Sequence, residues 1–271
     1  MKMINYEEMA LKYKKLGAKV PTKDMIKTPE QIEGIREAGR INTLVLDEVA
    51  KHIRAGMTTE EINAIVHNKT IALGGIPAPL NFEGFPKSVC TSINDAVCHG
   101  IPSYRDVLKN GDIINVDCTT IYNGYYGDAS RMFKIGEVSP LADKLIRVTK
   151  EALDMCVEKI KPYDRLGDIG YIIEHHCRAN HFSVVEEIGG HGVGVGFHED
   201  PFVKHVGKKG TGMVLFPGMI FTIEPMVNAG KRHVFIDASN DWTIYTQDGS
   251  LSAQWEYTLL MTEDGLEILS R

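Results

Sequence analysis

The stretch IINVDCTTIYNGYYGDASRMF, residues 113–133, predicts a β-hairpin from which the rest of the chain can be interpreted. A run with β-branched residues leads into Asn123-Gly124, and a tyrosine-rich run follows it. Asn-Gly is the strongest short-range signal for a two-residue type I′ turn. With that turn, Tyr122 pairs with Tyr125 across the hairpin.

This register brings two carboxylates together. Thr119 lies opposite Asp128, and Asp117 points to the same face as Thr119 because side chains alternate along a strand. The two carboxylates are then diagonal neighbours, roughly 5–8 Å apart at Cβ. On a half-buried face they repel each other and are costly to desolvate, so a divalent cation that bridges both compensates them best. The alternatives are an exposed acidic hairpin, or a loop of odd length that puts the two carboxylates on opposite faces.

Composition narrows the class of protein. Of the 271 residues, 43% are hydrophobic and 24% are charged, which is ordinary for a soluble globular chain of one or two domains. The net charge of −6 argues against broad nucleic-acid binding. No apolar run reaches the ~18 residues of a membrane helix, and the N-terminus lacks the apolar segment of a signal peptide. Five cysteines without a CxxC motif argue against a disulfide framework, so we expect reduced thiols in the cytoplasm.

Capping signals predict four helices in the body of the chain. Residues 28–31 (TPEQ) combine an N-cap, a proline at the first helical position and a capping-box glutamine, and the helix should end by Gly56. A second capping box at Thr58 begins a helix that runs to about Leu73. The third and fourth helices are expected from Ser139-Pro140 to just before Pro162, and from about Leu166 to Asn180. Strands follow each pair, so the order of two helices and then strands occurs twice.

A short internal repeat supports two similar halves. Residues 108–117 (LKNGDIINVD) match residues 215–224 (LFPGMIFTIE) in the positions of a leucine, a glycine, an isoleucine and a final acid. Each acid should lie well inside a strand that rises from a glycine turn. We therefore predict an α+β fold with two halves of similar topology and a site between their sheets.

Three further residues are candidate metal ligands. His191 lies among the glycines of GGHGVG, which leave its imidazole accessible, although a histidine there can also be structural. Glu224 precedes Pro225, which holds it in an extended conformation. Glu256 is expected within one alternating strand, residues 252–258, on a buried sheet where it needs a partner.

The donor atoms of the full set favour a two-metal site. Four carboxylates and one imidazole suit Mn²⁺, Fe²⁺, Co²⁺ or Zn²⁺, whereas a mononuclear catalytic zinc site normally uses two or three histidines. Four carboxylates can neutralise most of the charge of two cations, which hold an activated water between them. The candidate ligands are Asp117, Asp128, His191, Glu224 and Glu256.

At this point the chain resembles a known family, the type I methionine aminopeptidases. The matching stretches are HGIP (99–102), NGDIINVD (110–117), GYYGDASRMF (124–133), GGHGVGVGFHEDP (189–201), PGMIFTIEPM (217–226) and SAQWEYT (252–258). The resemblance covers about residues 25–269. It implies the pita-bread fold of the creatinases and aminopeptidases, in which a dimetal site lies between two pseudo-symmetric halves. Residues 1–24 would be an N-terminal extension and residues 25–271 the catalytic domain.

The resemblance implies an enzyme that hydrolytically removes the N-terminal methionine from nascent proteins and peptides. Asp117 would bind one divalent ion, while Asp128 and Glu256 would bridge both. His191 and Glu224 would complete the coordination of the other ion. Glu224 is also the expected general base, which takes a proton from the water between the ions. The two ions are expected among cobalt, manganese, iron, zinc and nickel.

The resemblance also implies the groups that contact the substrate. His99 and His198 would contact the substrate amide and the developing oxyanion, and we expect His198 on the same glycine-rich strand as His191. A pocket for the methionine side chain would use the affinity of sulfur for aromatic edges. Each of these residues can instead belong to the ordinary core. The expected pocket residues are Phe82, Phe85, Cys90, Phe197 and Trp242.

The expected partners are the N-termini of nascent polypeptides, with no membrane and no specific nucleic acid, and we expect a cytoplasmic monomer. Near the N-terminus, one helical stripe should end at Gly17. This helix either packs on the body or makes a transient contact with a partner such as the ribosome. The stripe consists of Tyr6, Met9, Ala10, Tyr13 and Leu16.

Two other functions fit part of the pattern. A prolidase or X-Pro aminopeptidase shares the five ligands, but those enzymes usually carry a large N-terminal domain that 24 residues cannot supply. A non-catalytic binding protein on the same fold tends to lose ligands, and all five are present here.

Overall fold

The computed structural model describes residues 5–271, so residues 1–4 of the predicted extension lie outside the described part. Its helices are α1 (Tyr6–Lys15), α2 (Pro29–His52), α3 (Thr59–Ala72), α4 (Pro140–Lys159) and α5 (Leu166–Ala179). Its strands are β1 (Ile76–Pro77), β2 (Cys90–Ile93), β3 (Ala96–Cys98), β4 (Ile113–Tyr122), β5 (Tyr125–Lys134), β6 (Ser183–Val184), β7 (Gly190–Gly192), β8 (Glu199–Val203), β9 (Ile220–Ile223), β10 (Met226–Asn228), β11 (Val234–Ile236), β12 (Ile244–Thr246), β13 (Ser252–Gln254), β14 (Tyr257–Met261) and β15 (Leu266–Ser270). The α+β class and the twofold order of two helices and then strands are confirmed.

The strands form four antiparallel sheets. One contains β1, β4 and β2 with β5 paired to β4, and another has the order β15-β14-β9-β7-β8. The two smaller sheets have the orders β13-β10-β6 and β11-β12-β3. None of the helices within residues 5–271 is long and apolar enough to cross a membrane.

The hairpin of β4 and β5 has the predicted register. Asn123 and Gly124 have φ values of 50° and 83°, and a type I′ turn requires positive φ at both positions. Tyr122 pairs with Tyr125. The hairpin is not an exposed acidic one, because Asp128 is only 3% exposed.

Both predicted capping boxes are present. In α2, the Thr28 hydroxyl accepts a hydrogen bond from the Gln31 N–H, and the Gln31 side chain accepts one from the Thr28 N–H. The same reciprocal pair joins Thr58 and Glu61 at the start of α3. These bonds satisfy donors that the first helical turn leaves free, which is why the helix starts could be predicted closely.

Helix α2 joins the two halves. Its buried Val45 packs with Val116 of β4 in the core of the first half, whereas its Ile35 packs with Ile220 of β9 in the second. The repeated glycines Gly111 and Gly218 have φ values of 100° and 95°, so each half starts its central strand from the same kind of turn.

Close packing of α2 on β5 depends on Gly127. A Cβ atom at this position would lie 2.4 Å from the Gly39 nitrogen and 2.5 Å from the Ala38 carbonyl carbon. We therefore expect Gly127→Ala to lower the free energy of unfolding by about 1–3 kcal/mol, measured by urea denaturation, because the helix must move away from the sheet. An unchanged denaturation midpoint would contradict this description of the packing.

The N-terminal helix α1 packs on the second half. The Tyr6 hydroxyl donates a hydrogen bond to the Pro21 carbonyl at 3.0 Å, and the Tyr13 ring stacks on Tyr163 with centroids 5.5 Å apart. Leu16 was expected on the same helical stripe as Tyr6 and Tyr13. This expectation is wrong, because Leu16 is 70% exposed. Leu16 caps the helix after its last turn, so it no longer follows the helical period. The domain boundary at residue 24 stays a prediction.

Candidate metal centre

The five candidate ligands come from separate strands and converge on one cavity of about 390 Å³. All twelve residues predicted for the site line this cavity. Among the ligands, two belong to the first half and three to the second. They are Asp117 on β4, Asp128 on β5, His191 on β7, Glu224 directly after β9 and Glu256 directly before β14.

The ligand atoms lie at distances that one ion could span. His191 Nε2 is 3.8 Å from Asp128 Oδ2 and 3.6 Å from Glu224 Oε1. Three of the candidates are also close together: Asp128, His191 and Glu256 each have one possible ligand atom within 4.8 Å of those of the other two. These groups could therefore contact a common divalent ion.

Hydrogen bonds orient the ligands toward this space. The Gly192 carbonyl oxygen can only accept, so His191 Nδ1 donates to it at 2.9 Å and leaves Nε2 with a free lone pair. The Thr119 hydroxyl donates to Asp128 Oδ1 at 2.6 Å. Such second partners fix a ligand before the metal arrives.

Glu224 is held from two sides. The Thr222 hydroxyl donates to its Oε1 at 2.7 Å, and Gln254 Nε2 donates to its Oε2 at 3.1 Å. Sequence reasoning missed these supporting groups. A signal was present only for Thr222, which precedes Glu224 by two residues, whereas the contact of Gln254 with Glu224 joins residues 30 positions apart.

Two expected strands are interrupted at their acids. Glu224 was expected inside a strand, but β9 ends at Ile223, because Pro225 has no N–H for the ladder. Glu256 was also expected inside a strand, but its N–H bonds to the Ser130 carbonyl at 3.1 Å, and the chain passes there from β13 to β14 in another sheet. Both interruptions turn a carboxylate into the cavity.

The turn of residues 194–198, between β7 and β8, carries His198. The expectation that His191 and His198 share one strand is therefore wrong. The glycines of this segment allow the chain to reverse, and β8 then pairs back onto β7. The His191 and His198 rings nevertheless remain close, with centroids 4.4 Å apart.

Aromatic rings form another part of the cavity wall. Phe82 lies edge-on to Phe197 with centroids 4.8 Å apart, and Phe85 lies edge-on to Trp242 at 5.2 Å. Cys90 is paired with Asp117 across β2 and β4. Carboxylates and aromatic rings therefore both line the cavity.

Burial makes the charged forms of the acids costly. It raises the pKa of Asp117, and the neighbouring Asp128 charge raises it further. Burial also raises the pKa of Glu224 and of Glu256 above the usual range. Within residues 5–271, no lysine or arginine lines the cavity. Carboxylate oxygens with one imidazole and no protein cation fit a site for divalent ions.

The buried acids also make the folding stability of the metal-free protein depend on pH. Burial raises the pKa of Asp128 to about 6, despite the hydrogen bond from Thr119, compared with about 4 for an unfolded aspartate. The metal-free folded state then binds more protons than the unfolded state between these values. This contribution to stability is complete below about pH 4 and is lost as the pH rises through about 6.

Divalent-ion binding should have the opposite pH dependence. Ions bind the deprotonated ligands, so we expect affinity for Mn²⁺ to increase from about pH 5.5 to about pH 7.5, with protons released on binding. Calorimetric titration in two buffers of different ionisation enthalpy measures both effects. Affinity that stays constant over this range, without proton release, would contradict the assignment of these acids as ligands.

Comparison with known proteins identifies the family. Residues 33–263 match the model of metallopeptidase family M24. The chain is 50% identical over 241 residues to methionine aminopeptidase A of Synechocystis, covering 89% of this chain and 94% of that protein. The chain belongs to the methionine aminopeptidases of metallopeptidase family M24. It is therefore a hydrolase, and the resemblance inferred from its sequence is confirmed.

Solved structures confirm the fold of this methionine aminopeptidase. A crystal structure of methionine aminopeptidase from Rickettsia prowazekii superposes with a TM-score of 0.89 at 44% identity, covering 91% of this chain and 99% of that chain. A prolidase from Pyrococcus furiosus superposes with a TM-score of 0.71 at 24% identity, but only 65% of that chain is covered. The second likeness concerns the fold alone, so the X-Pro alternative is not favoured.

Proposed function

We propose that this methionine aminopeptidase removes the N-terminal methionine from nascent proteins and peptides at the cavity described above. The observation that carries the proposal is the convergence of the five candidate ligand side chains on one cavity that aromatic rings also line. We further propose that it acts in the cytoplasm as a monomer.

The proposed centre would hold two divalent ions. Asp117 would bind one, His191 and Glu224 would bind the other, and Asp128 and Glu256 would contact both. Oxygen ligands with one imidazole nitrogen suit manganese, iron, cobalt, nickel or zinc, and availability decides among them. When bound, such ions polarise the scissile carbonyl and lower the pKa of the attacking water.

Glu224 is the proposed general base. It accepts a proton from the attacking water and delivers it to the amine that leaves. The hydrogen bonds from Thr222 and Gln254 hold its carboxylate in one orientation, so that an oxygen can face the water. Its backbone N–H, directly after β9, donates to His205 Nε2 at 3.1 Å, which fixes its backbone.

His99 and His198 are the proposed donors to the substrate. Burial, with the nearby His198 and His191, lowers the pKa of His99 to about 4, and burial also lowers the pKa of His198. Both imidazoles are then neutral near pH 7 and can donate an N–H. His99 would contact the substrate amide, and His198 would stabilise the oxyanion that develops during attack.

The proposed specificity pocket accepts the methionine side chain. Its aromatic edges pack well against a thioether, and the Cys90 sulfur adds a second polarisable surface. The pocket residues are Phe82, Phe85, Cys90, Phe197 and Trp242.

A peptide-release assay tests this function. The chain, freed of metal and reloaded with each candidate ion, is given Met-Ala-Ser, Leu-Ala-Ser and an X-Pro peptide such as Ala-Pro-Ser. We expect release of methionine from the first peptide only, and none after treatment with a chelator. Preferred hydrolysis of the X-Pro peptide, or no hydrolysis with any ion, would refute the proposal.

A transient ribosome contact through α1 is also proposed. Helix α1 carries exposed Lys12, Lys14 and Lys15, whereas its opposite side packs on the body. Because truncation would remove that packing, replacing the three lysines with glutamine is the better test. Loss of co-sedimentation with ribosomes at unchanged thermal stability would support the contact, and retained co-sedimentation would exclude it.

A further inference from the structure

One carboxylate outside the cavity holds the turn that carries Phe197 and His198. Glu199 Oε1 accepts hydrogen bonds from the backbone N–H groups of Val195 at 2.8 Å and Gly196 at 2.6 Å. Its Oε2 accepts a hydrogen bond from the ammonium group of Lys27. We call residues 194–198 the active-site turn.

Lys27 is fixed on the other side of this contact. Its side chain is 4% exposed, and its backbone N–H donates to the Gly218 carbonyl at 2.9 Å. Gly218 lies in the turn from which β9 rises toward Glu224. A buried ammonium group needs an anionic partner, and Glu199 provides it. The pair therefore connects the active-site turn to the base of the strand that leads to Glu224.

The active-site turn needs such an anchor. It contains Gly194 and Gly196, which leave its backbone free to adopt many conformations. Phe197 and His198 belong to this turn, and their rings stack with centroids 4.3 Å apart. A shift of the turn would displace the pocket wall and the oxyanion donor together.

We propose that the Lys27–Glu199 ion pair is a positioning clamp that fixes the active-site turn in its catalytic conformation. The proposal rests on the functions proposed above for Phe197 and His198. In the part of the chain that the structure describes, neither Lys27 nor Glu199 lines the cavity, so both act through the turn.

Two single variants and their combination test whether Lys27 and Glu199 act as a pair. Glu199→Gln keeps an oxygen for the two amides but turns an NH₂ group toward the Lys27 ammonium. Lys27→Met leaves the Glu199 carboxylate without its cation. The double variant lacks both charges, so its active-site turn is no longer connected to residue 27. We expect Glu199→Gln to lower kcat/KM by roughly 10- to 100-fold, mainly through kcat. We expect Lys27→Met to lose a similar amount and the double variant to be no more impaired than the single variants, because all three lack the same ion pair.

Amide hydrogen exchange measures how firmly the active-site turn is held, and it needs no substrate. The amides of Val195 and Gly196 should be protected in the wild-type protein and should exchange faster in Glu199→Gln, in Lys27→Met and in the double variant. Bound metal should stay at the wild-type amount, because neither residue is a proposed ligand. Asp47→Asn is a matched control. It neutralises the carboxylate that pairs with Arg131 at 2.7 Å, in another ion pair outside the cavity. That control should leave kcat/KM unchanged.

Two results would overturn the clamp. One is a Glu199→Gln variant with wild-type kcat/KM and unchanged protection of the two amides. The other is a double variant whose loss in kcat/KM is the product of the two single losses, which would mean that Lys27 and Glu199 act independently. If the wild-type chain released no methionine, the proposed function would fail, and the exchange data would still decide whether the clamp exists.

Discussion

Replacing Asp128 with alanine should remove bound metal and peptide hydrolysis together, with kcat/KM lower by about a thousandfold or more. Asp128 lies 3.8 Å from His191 Nε2, and one of its carboxylate oxygens also lies near Glu256. Its loss removes the proposed bridge between the two ions. Metal content by elemental analysis and methionine release from Met-Ala-Ser measure both effects.

Thr119→Val is the matched control for this prediction. Thr119 donates to Asp128 at 2.6 Å but offers no proposed ligand atom to the ions. We expect it to retain metal and to lose roughly 10- to 100-fold in activity, as for other groups that orient a ligand. Full turnover by Asp128→Ala in chelator-treated buffer would be incompatible with the proposed centre.

Replacing Glu224 with glutamine should lower kcat by about 10²- to 10⁴-fold, because glutamine keeps the shape of the side chain but accepts no proton. Glutamine retains one oxygen toward the ions, so part of the metal affinity should remain. Steady-state kinetics with saturating Mn²⁺ separates the loss of the base from the loss of metal.

Gln254→Met provides the comparison for Glu224. It removes the 3.1 Å hydrogen bond to Glu224 Oε2 but leaves the base itself. We expect a loss of roughly 10- to 100-fold, clearly smaller than that of Glu224→Gln. If Glu224→Gln kept the wild-type kcat with bound metal, another group would have to be the base.

Local signals explain the parts of the fold that the sequence predicted well. The Asn123-Gly124 turn determines the register of β4 and β5, so the placement of Asp128 opposite Thr119 needs only nearby residues. The capping boxes at Thr28 and Thr58 are local in the same way. The candidate ligands were found from such local features and from the family resemblance.

Long-range contacts explain what the sequence did not predict. The interruption at Glu256 depends on Ser130, which lies far away in the chain and takes the N–H that a continuous strand would have paired. The ion pair of Lys27 and Glu199 joins residues 172 positions apart, and no local pattern connects them. Alternation and spacing describe one segment at a time, so they miss contacts that arise when two halves of a chain meet.

Anomalous diffraction from a manganese-loaded crystal is the most direct test of the metal centre. We predict two anomalous peaks in the cavity, in contact with Asp117, Asp128, His191, Glu224 and Glu256. Active crystals with no anomalous peak among these five side chains would contradict the account.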